Sequence, residues 1–226
     1  MGRGGRAATR APDEEHPMTQ PEAPAPDAAL PVLHALRCAG AVSVARVAAV
    51  TGLDPSDAES ELIDLGIDGL VTRLPGDPPV WSLTGAGRAA GAERIARELE
   101  SARARGRVTA AYERFMVLNP ELLDLCTAWQ LRPVDGVTGV NDHTDAEYDS
   151  RVLARFADLD GRAAAVCAEL AAALPRFGRY RARLAEALGR AAAGETAYLA
   201  DNTASYHLVW AELHEDLLVT LGRERW

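Results

Sequence analysis

Two histidines, His207 and His214, stand seven residues apart in the last apolar run of the chain, among Tyr198, Asn202, Tyr206, Trp210, Glu212, Glu215 and Asp216. At about 100° per residue, Leu199, Tyr206, Trp210, Leu213, Leu217 and Leu221 fall on one core stripe, with His207, Ala211, His214 and Leu218 in the adjoining row. Imidazoles beside a small alanine and flat apolar rings suit a pocket wall, which gives Trp129, His143, Tyr206, His207, Trp210 and His214 as the candidate ligand-binding set. Satisfied histidines at the edge of a core are the structural alternative. A metal site is disfavoured by spacing: seven helical residues span about 10.5 Å, whereas helical zinc pairs stand four apart. One ion would need further ligands such as Asp142 or His143, so no metal, cofactor or catalytic set is assigned.

The segment Asn141-Asp142-His143-Thr144-Asp145 brings a carboxylate and an imidazole together, as general acid-base chemistry requires, but helix initiation explains it better. Nucleophile elbows, phosphate-cradling glycine loops and paired metal motifs are missing, which points away from an enzyme. Cys38, Cys126 and Cys167 show no CxxC spacing, so neither a disulfide framework nor a zinc ribbon is expected. Cys126 shares a helical face with Leu122, Leu125 and Trp129 and reads as a small core residue. The arginines Arg176, Arg179, Arg181, Arg183 and Arg190 form the densest basic group, expected to be mainly a solvated helix face or else an anion site.

These side chains must be positioned by helices. The chain has 226 residues, 48% of them hydrophobic and only 5% aromatic, with a net charge of −9 and arginine as its only basic residue other than histidine. That composition suits an Ala- and Leu-rich helical protein. No apolar run reaches the ~20 residues of a membrane span and no signal peptide stands out, so a cytoplasmic protein is expected. Residues 1–26, rich in Pro, Ala, Gly and charge, read as a disordered tail. Residues 27–90 read as a winged helix-turn-helix. A helix over Asp27 to Cys38 leads to an apolar helix with Val44, Val47, Ala48 and Val50. The turn Thr51-Gly52-Leu53 follows, then a second helix begun by Asp54-Pro55 with Ala58, Leu62 and Leu65 buried and Ile63 off that stripe. Leu70–Leu74 and Val80–Leu83 make a small hairpin, and Thr84 caps the next helix.

Residues 91–226 read as a helical dimerisation or ligand-sensing domain with no strand after Leu83. Helical pattern runs on from Arg88 with a bend near Gly106; Asn119-Pro120 starts a new helix; Leu131 to His143 is a loop. Thr144 and Glu147 form a capping box for a helix to about Leu174, Pro175 begins a shorter one, and the last runs from Glu195 to Leu221. The fold class is therefore mainly α: a winged helix-turn-helix with a small β-hairpin wing, then a C-terminal helical bundle.

Asp68-Gly69-Leu70-Val71-Thr72-Arg73 followed by Ser82-Leu83-Thr84-Gly85-Ala86-Gly87-Arg88 resembles the signature of MarR-type winged-helix regulators. The resemblance implies a homodimer, a second helix lying in the major groove of double-stranded DNA, a wing on the backbone or in the minor groove, and a small-molecule effector or redox signal that changes affinity. On that basis Arg46, Ser56, Ser60, Arg73 and Arg88 are the DNA-binding candidates. The chemistry departs from the pattern. From Asp27 to Glu100 six arginines face eleven carboxylates, and the second helix turns Ser56, Asp57, Glu59, Ser60, Glu61 and Asp64 outward. A polyanion is repelled by such a surface. Two readings stay open: a MarR-like transcriptional regulator, and a winged-helix protein-interaction module that has lost DNA binding. An enzyme or metal-binding protein using the C-terminal histidines is a third.

Overall fold

The computed structural model describes residues 1–2, 29–134 and 137–223. In chain order these form α1 (Ala29–Ala39), α2 (Val44–Thr51), α3 (Pro55–Ile67), β1 (Val71–Leu74), β2 (Val80–Leu83), α4 (Gly85–Ser101), α5 (Arg105–Gln130), β3 (Leu131–Val134), β4 (Val137–Val140), α6 (Ala146–Ala173), α7 (Gly178–Ala192) and α8 (Tyr206–Leu221), with single 3-10 turns at Pro175–Phe177 and Thr196–Tyr198. The expected class holds: a winged helix-turn-helix followed by further helices. Apart from Met1 and Gly2, the expected tail over residues 1–26 lies outside the described residues.

Local chemistry sets the winged unit. Ser43 accepts a hydrogen bond from the Arg46 N–H and starts α2, and Gly52, at φ 78°, stops it in the left-handed region that favours glycine. Pro55 opens α3 behind Asp54. The wing pairs Val71 with Leu83 and Arg73 with Trp81, and Val42 bridges to Trp81. Thr84 caps α4 by accepting from Gly87 N–H, and its hydroxyl faces the Gly69 and Leu70 carbonyls. Gly87 is required here, because a Cβ at this position would stand 1.9 Å from the Leu70 carbonyl oxygen. Val32, Leu33, Leu36, Val47, Leu62, Leu65, Trp81 and Leu83 close a small core. A larger core, with Phe115, Trp129, Phe156, Tyr180, Tyr206 and Trp210, joins α5 to α8. Helix α8 packs on α1 and α4 of the winged unit and on α5 and α7 of the bundle, so it is the hinge between the two cores.

The helical half differs from expectation in several places. Pro120 does not start a helix: α5 runs through it, because Leu118 and Leu122 are buried on either side and Asn119 accepts from Trp210 Nε1 instead of capping. The break between α4 and α5 falls at Ala102–Ala104, with Arg103 at φ 48°, and not at Gly106. The expected loop after Leu131 folds into the β3–β4 hairpin. Asp145, not Thr144, caps α6 by accepting from Tyr148 N–H, while Thr144 is held by Asp142. The last helix begins at Tyr206, capped by Ser205, since Thr196–Tyr198 form a separate turn.

Candidate functional site

The outward face of α3 is the surface a winged helix offers to a partner. Ala58, Leu62 and Leu65 are buried, and Ser56, Asp57, Glu59, Ser60, Ile63, Asp64, Ile67 and Asp68 are exposed. At 100° per residue Ser56, Ser60, Ile63 and Ile67 line up along the centre of that face, with Glu59 on one flank and Asp57 and Asp64 on the other. Ile63 is 48% and Ile67 79% exposed. No basic residue lies on α3. Asp64 and Asp68 also stand at the negative end of the helix macrodipole, a local cost that a cation on the surface would offset.

The DNA-binding candidates do not gather on this face. Ser56 and Ser60 lie on it, with the Ser60 hydroxyl donating to the Ser56 carbonyl. Arg46 turns inward and pairs with Glu212 of α8 at 2.5 Å. Arg73 is exposed on the wing, and Arg88 is exposed while donating to the Leu83 carbonyl. Residues 29–90 hold four arginines against seven carboxylates, and one of those arginines, Arg46, is committed to the bundle.

Behind α3, a buried ionic seam fastens the winged unit to α8. The fully buried Asp216 carboxylate receives His34 Nε2 at 2.8 Å, Arg179 at 3.2 Å, the Tyr180 hydroxyl at 2.9 Å and the Thr220 hydroxyl at 3.0 Å, together with Arg176 Nη1. Arg176 also donates from Nε to Glu98 of α4 at 2.7 Å and lies over the Phe177 ring. A second knot centres on Glu212, which meets Arg46 of α2 and Arg183 of α7. The Arg183 contact is close at 2.6 Å but off-line, an ion pair without a directed hydrogen bond. Burial alone would raise the Asp216 carboxyl, yet Arg176, His34 and Arg179 together hold it well below the usual carboxylate range. Burial lowers His34, outweighing the pull of Asp216. His34 Nε2 faces both Asp216 and, at 3.1 Å, Arg176 Nη1, and Nδ1 is buried without a hydrogen-bond partner among the described residues.

The arginine group is thus mostly not a solvated face. Arg176, Arg179 and Arg183 point into the seam and Arg181 clamps Asp160, leaving Arg190 with Glu195 on the surface. A signal was present in the sequence: arginines at 176, 179 and 183 share one helical face, and Glu212 and Asp216, four apart, interrupt an apolar helix. His34 Nε2, Cys38 Sγ and an Asp216 oxygen lie within 4.8 Å of one another, a donor set of the kind metals use. Arg176 and Arg179 already stand against that carboxylate as its cations, and burial pushes the Cys38 thiol well above its ordinary value, so these residues do not fit an ion. Burial likewise pushes Cys126 up to about 12 and Cys167 to about 11, as structural thiols require.

The candidate ligand set is divided among separate places. Trp129 is buried under the His143 ring, centroids 4.5 Å apart, and His143 Nδ1 meets Asp149 at 3.0 Å. Tyr206 and Trp210 are core residues, the first donating to Asp160 and the second stacked on Phe115. His214 lies against Phe115 and Tyr112, and His207 lines a shallow hollow with Asn202, Thr203 and Ala211. A cleft of about 840 Å³ lies instead between the α1–α2 connection and α8, with Arg37, Cys38, Arg46, Val80, Leu208 and Glu212 among its walls.

The model of the DprA winged helix domain family matches residues 16–77. The match ends before β2, so the rest of the wing, α4 and the bundle fall outside it. It supports the winged-helix fold and not the MarR type in particular. Neither the curated proteins nor the solved structures returned a match to this chain. No helix among the described residues is long and apolar enough to cross a membrane.

Proposed function

We propose that this chain is a winged-helix interaction module, clamped to a helical bundle, whose α3 face docks a protein partner carrying basic groups around an apolar anchor. The observation that carries this reading is the composition of that face: two exposed isoleucines one turn apart, ringed by Asp57, Glu59, Asp64 and Asp68, on a helix that has no basic residue. Protein interfaces use an apolar centre and a polar rim. Duplex DNA, with one negative charge per about 1.7 Å, needs the opposite sign.

The test is a pair of measurements on the full chain. Duplex DNA, including the gene's own upstream region, is titrated at low salt against the wild type and against Asp57→Arg/Glu59→Arg/Asp64→Arg. The wild type is expected not to bind, and the reversed face to gain salt-sensitive, sequence-independent affinity. A photoreactive side chain placed at position 67 should then cross-link a partner in cells, and Ile63→Asp or the charge reversal should abolish that product. Cross-linking that survives both changes removes the proposal.

A second reading is favoured by the winged-helix match and by exposed Arg73 and Arg88: a DNA-binding regulator acting as a homodimer, with a small effector held in the cleft beside Arg37 and Arg46. Wild-type binding to an upstream fragment at least tenfold tighter than to random duplex would install it in place of the first.

A further inference from the structure

The β3–β4 hairpin is a two-stranded sheet standing apart from the wing, and such a pair is marginal on its own in water. Its register pairs Leu131 with Val140, Arg132 with Gly139, Pro133 with Thr138 and Val134 with Val137, and the Asn141 N–H donates to the Gln130 carbonyl. Hydrogen-bonded pairs alternate along an antiparallel ladder. Counting from 130–141, the pairs 132–139 and 134–137 bond inward, so Leu131, Pro133, Thr138 and Val140 direct their main-chain groups outward.

The two outer edges differ. On β3 the Leu131 N–H is spent on the Thr127 carbonyl, the Leu131 carbonyl accepts from the Tyr148 hydroxyl, and Pro133 has no N–H. That edge is closed. On β4 the outward groups of Thr138 and Val140 meet no other backbone among the described residues. The strand Val137-Thr138-Gly139-Val140 carries none of the charges, prolines or bulges that guard exposed edges, and its valines are 70% and 78% exposed.

We infer that β4 pairs with β4 of a second copy of this chain, antiparallel about a twofold axis through Gly139. An antiparallel pair with a twofold normal to the sheet must match residues of the same face. The outward groups then select Thr138 opposite Val140 of the partner subunit and Gly139 opposite itself. Each Thr138–Val140 pairing exchanges both N–H···O bonds, and the axis repeats the exchange. At the axis the glycines form a non-hydrogen-bonded pair, with Cα atoms about 4.5 Å apart, and Gly139 has open space around it. Leu131, Pro133, Thr138 and Val140, all exposed on one side of the hairpin, continue across the axis into the same residues of the second copy. The paired segments are uncharged, so a copy meets no like charge there. A four-residue edge with this apolar strip is a small contact beside the roughly 1,200–2,000 Å² of standard complexes, so a weak dimer that forms with rising concentration is expected.

The test is sedimentation equilibrium of the full chain from about 1 to about 100 µM. Thr138→Pro removes only an outward N–H, leaving the hairpin's own ladder intact, and Val140→Lys places a charge in the new pair. Each should weaken dimerisation at least tenfold with an unchanged melting temperature. Gly139→Cys should form an intermolecular disulfide under mild oxidation, since facing non-hydrogen-bonded positions suit that geometry. A wild type that stays monomeric throughout overturns the inference. So does a dimer undiminished in Val140→Lys, or a Gly139→Cys chain that stays uncross-linked as a dimer.

Discussion

Asp216→Ala is the sharpest perturbation of this molecule. The carboxylate is fully buried and is the common acceptor for His34, Arg176, Arg179, Tyr180 and Thr220. Deleting it strips the carboxylate from two guanidiniums, Arg176 at 12% and Arg179 at 16% exposed, leaving Arg176 paired with Glu98. Removing one partner of a buried ion pair costs about 3–5 kcal/mol, far more than the net worth of the pair, because the survivor stays desolvated and unpaired. At about 2–4 °C per kcal/mol for a domain of this size, the melting temperature should fall by roughly 6–20 °C.

The assay is calorimetry or far-UV circular dichroism melting, with two controls. Arg37→Ala removes a half-exposed partner 3.5 Å from Glu215 and should change stability by less than about 1 kcal/mol. Asp216→Leu combined with Arg176→Met removes the carboxylate and one of its two guanidiniums together and should recover part of the loss, since an apolar pair replaces a desolvated one while Arg179 stays without its partner. An Asp216→Ala protein within about 1 kcal/mol of the wild type would refute the view that this carboxylate organises the seam.

Acid should loosen the same junction. The folded chain holds His34 below its ordinary 6.5, so beneath that pH the unfolded chain takes a proton that the folded one refuses. Stability is therefore present above about pH 6.5 and declines as the pH falls through the window below it, with protonation of Asp216 adding loss further down. Thermal melts between pH 8 and 5 should show this slope, and His34→Gln, which keeps a donor to Asp216, should flatten it; equal slopes would reject the assignment. Gly87→Ala, whose Cβ would collide with the Leu70 carbonyl, should lower the urea midpoint by the equivalent of about 2 kcal/mol or more. Gly161→Ala, open inside α6, should raise it by up to about 1 kcal/mol, and a reversed ranking would contradict the packing described.

Much of the winged unit was legible because its signals are local. Gly52, Asp54-Pro55 and Thr84 each act on backbone within four residues, and they stand at the helix ends as expected, while the Ser43 cap of α2 was found only in the structure. The stripe Ala58, Leu62, Leu65 correctly left Ile63 outside. Local signals failed where packing overrode them. Pro120 reads as a helix start, yet buried neighbours on both sides carry α5 through it. The β3–β4 hairpin contains Pro133 and Gly139, residues that weaken any strand reading from sequence.

The face of α3 could be read for charge before any coordinates, because helical spacing alone decides which of its residues share a side. The seam could not. His34, Glu98, Arg176 and Asp216 are spread along nearly the whole chain, and whether an arginine is solvated or locked to a carboxylate depends on which helix is laid against it. Periodicity fixes the direction of a side chain from its own helix, whereas burial and ion pairing belong to the contact between helices, which exists only once the winged unit and the bundle close on α8.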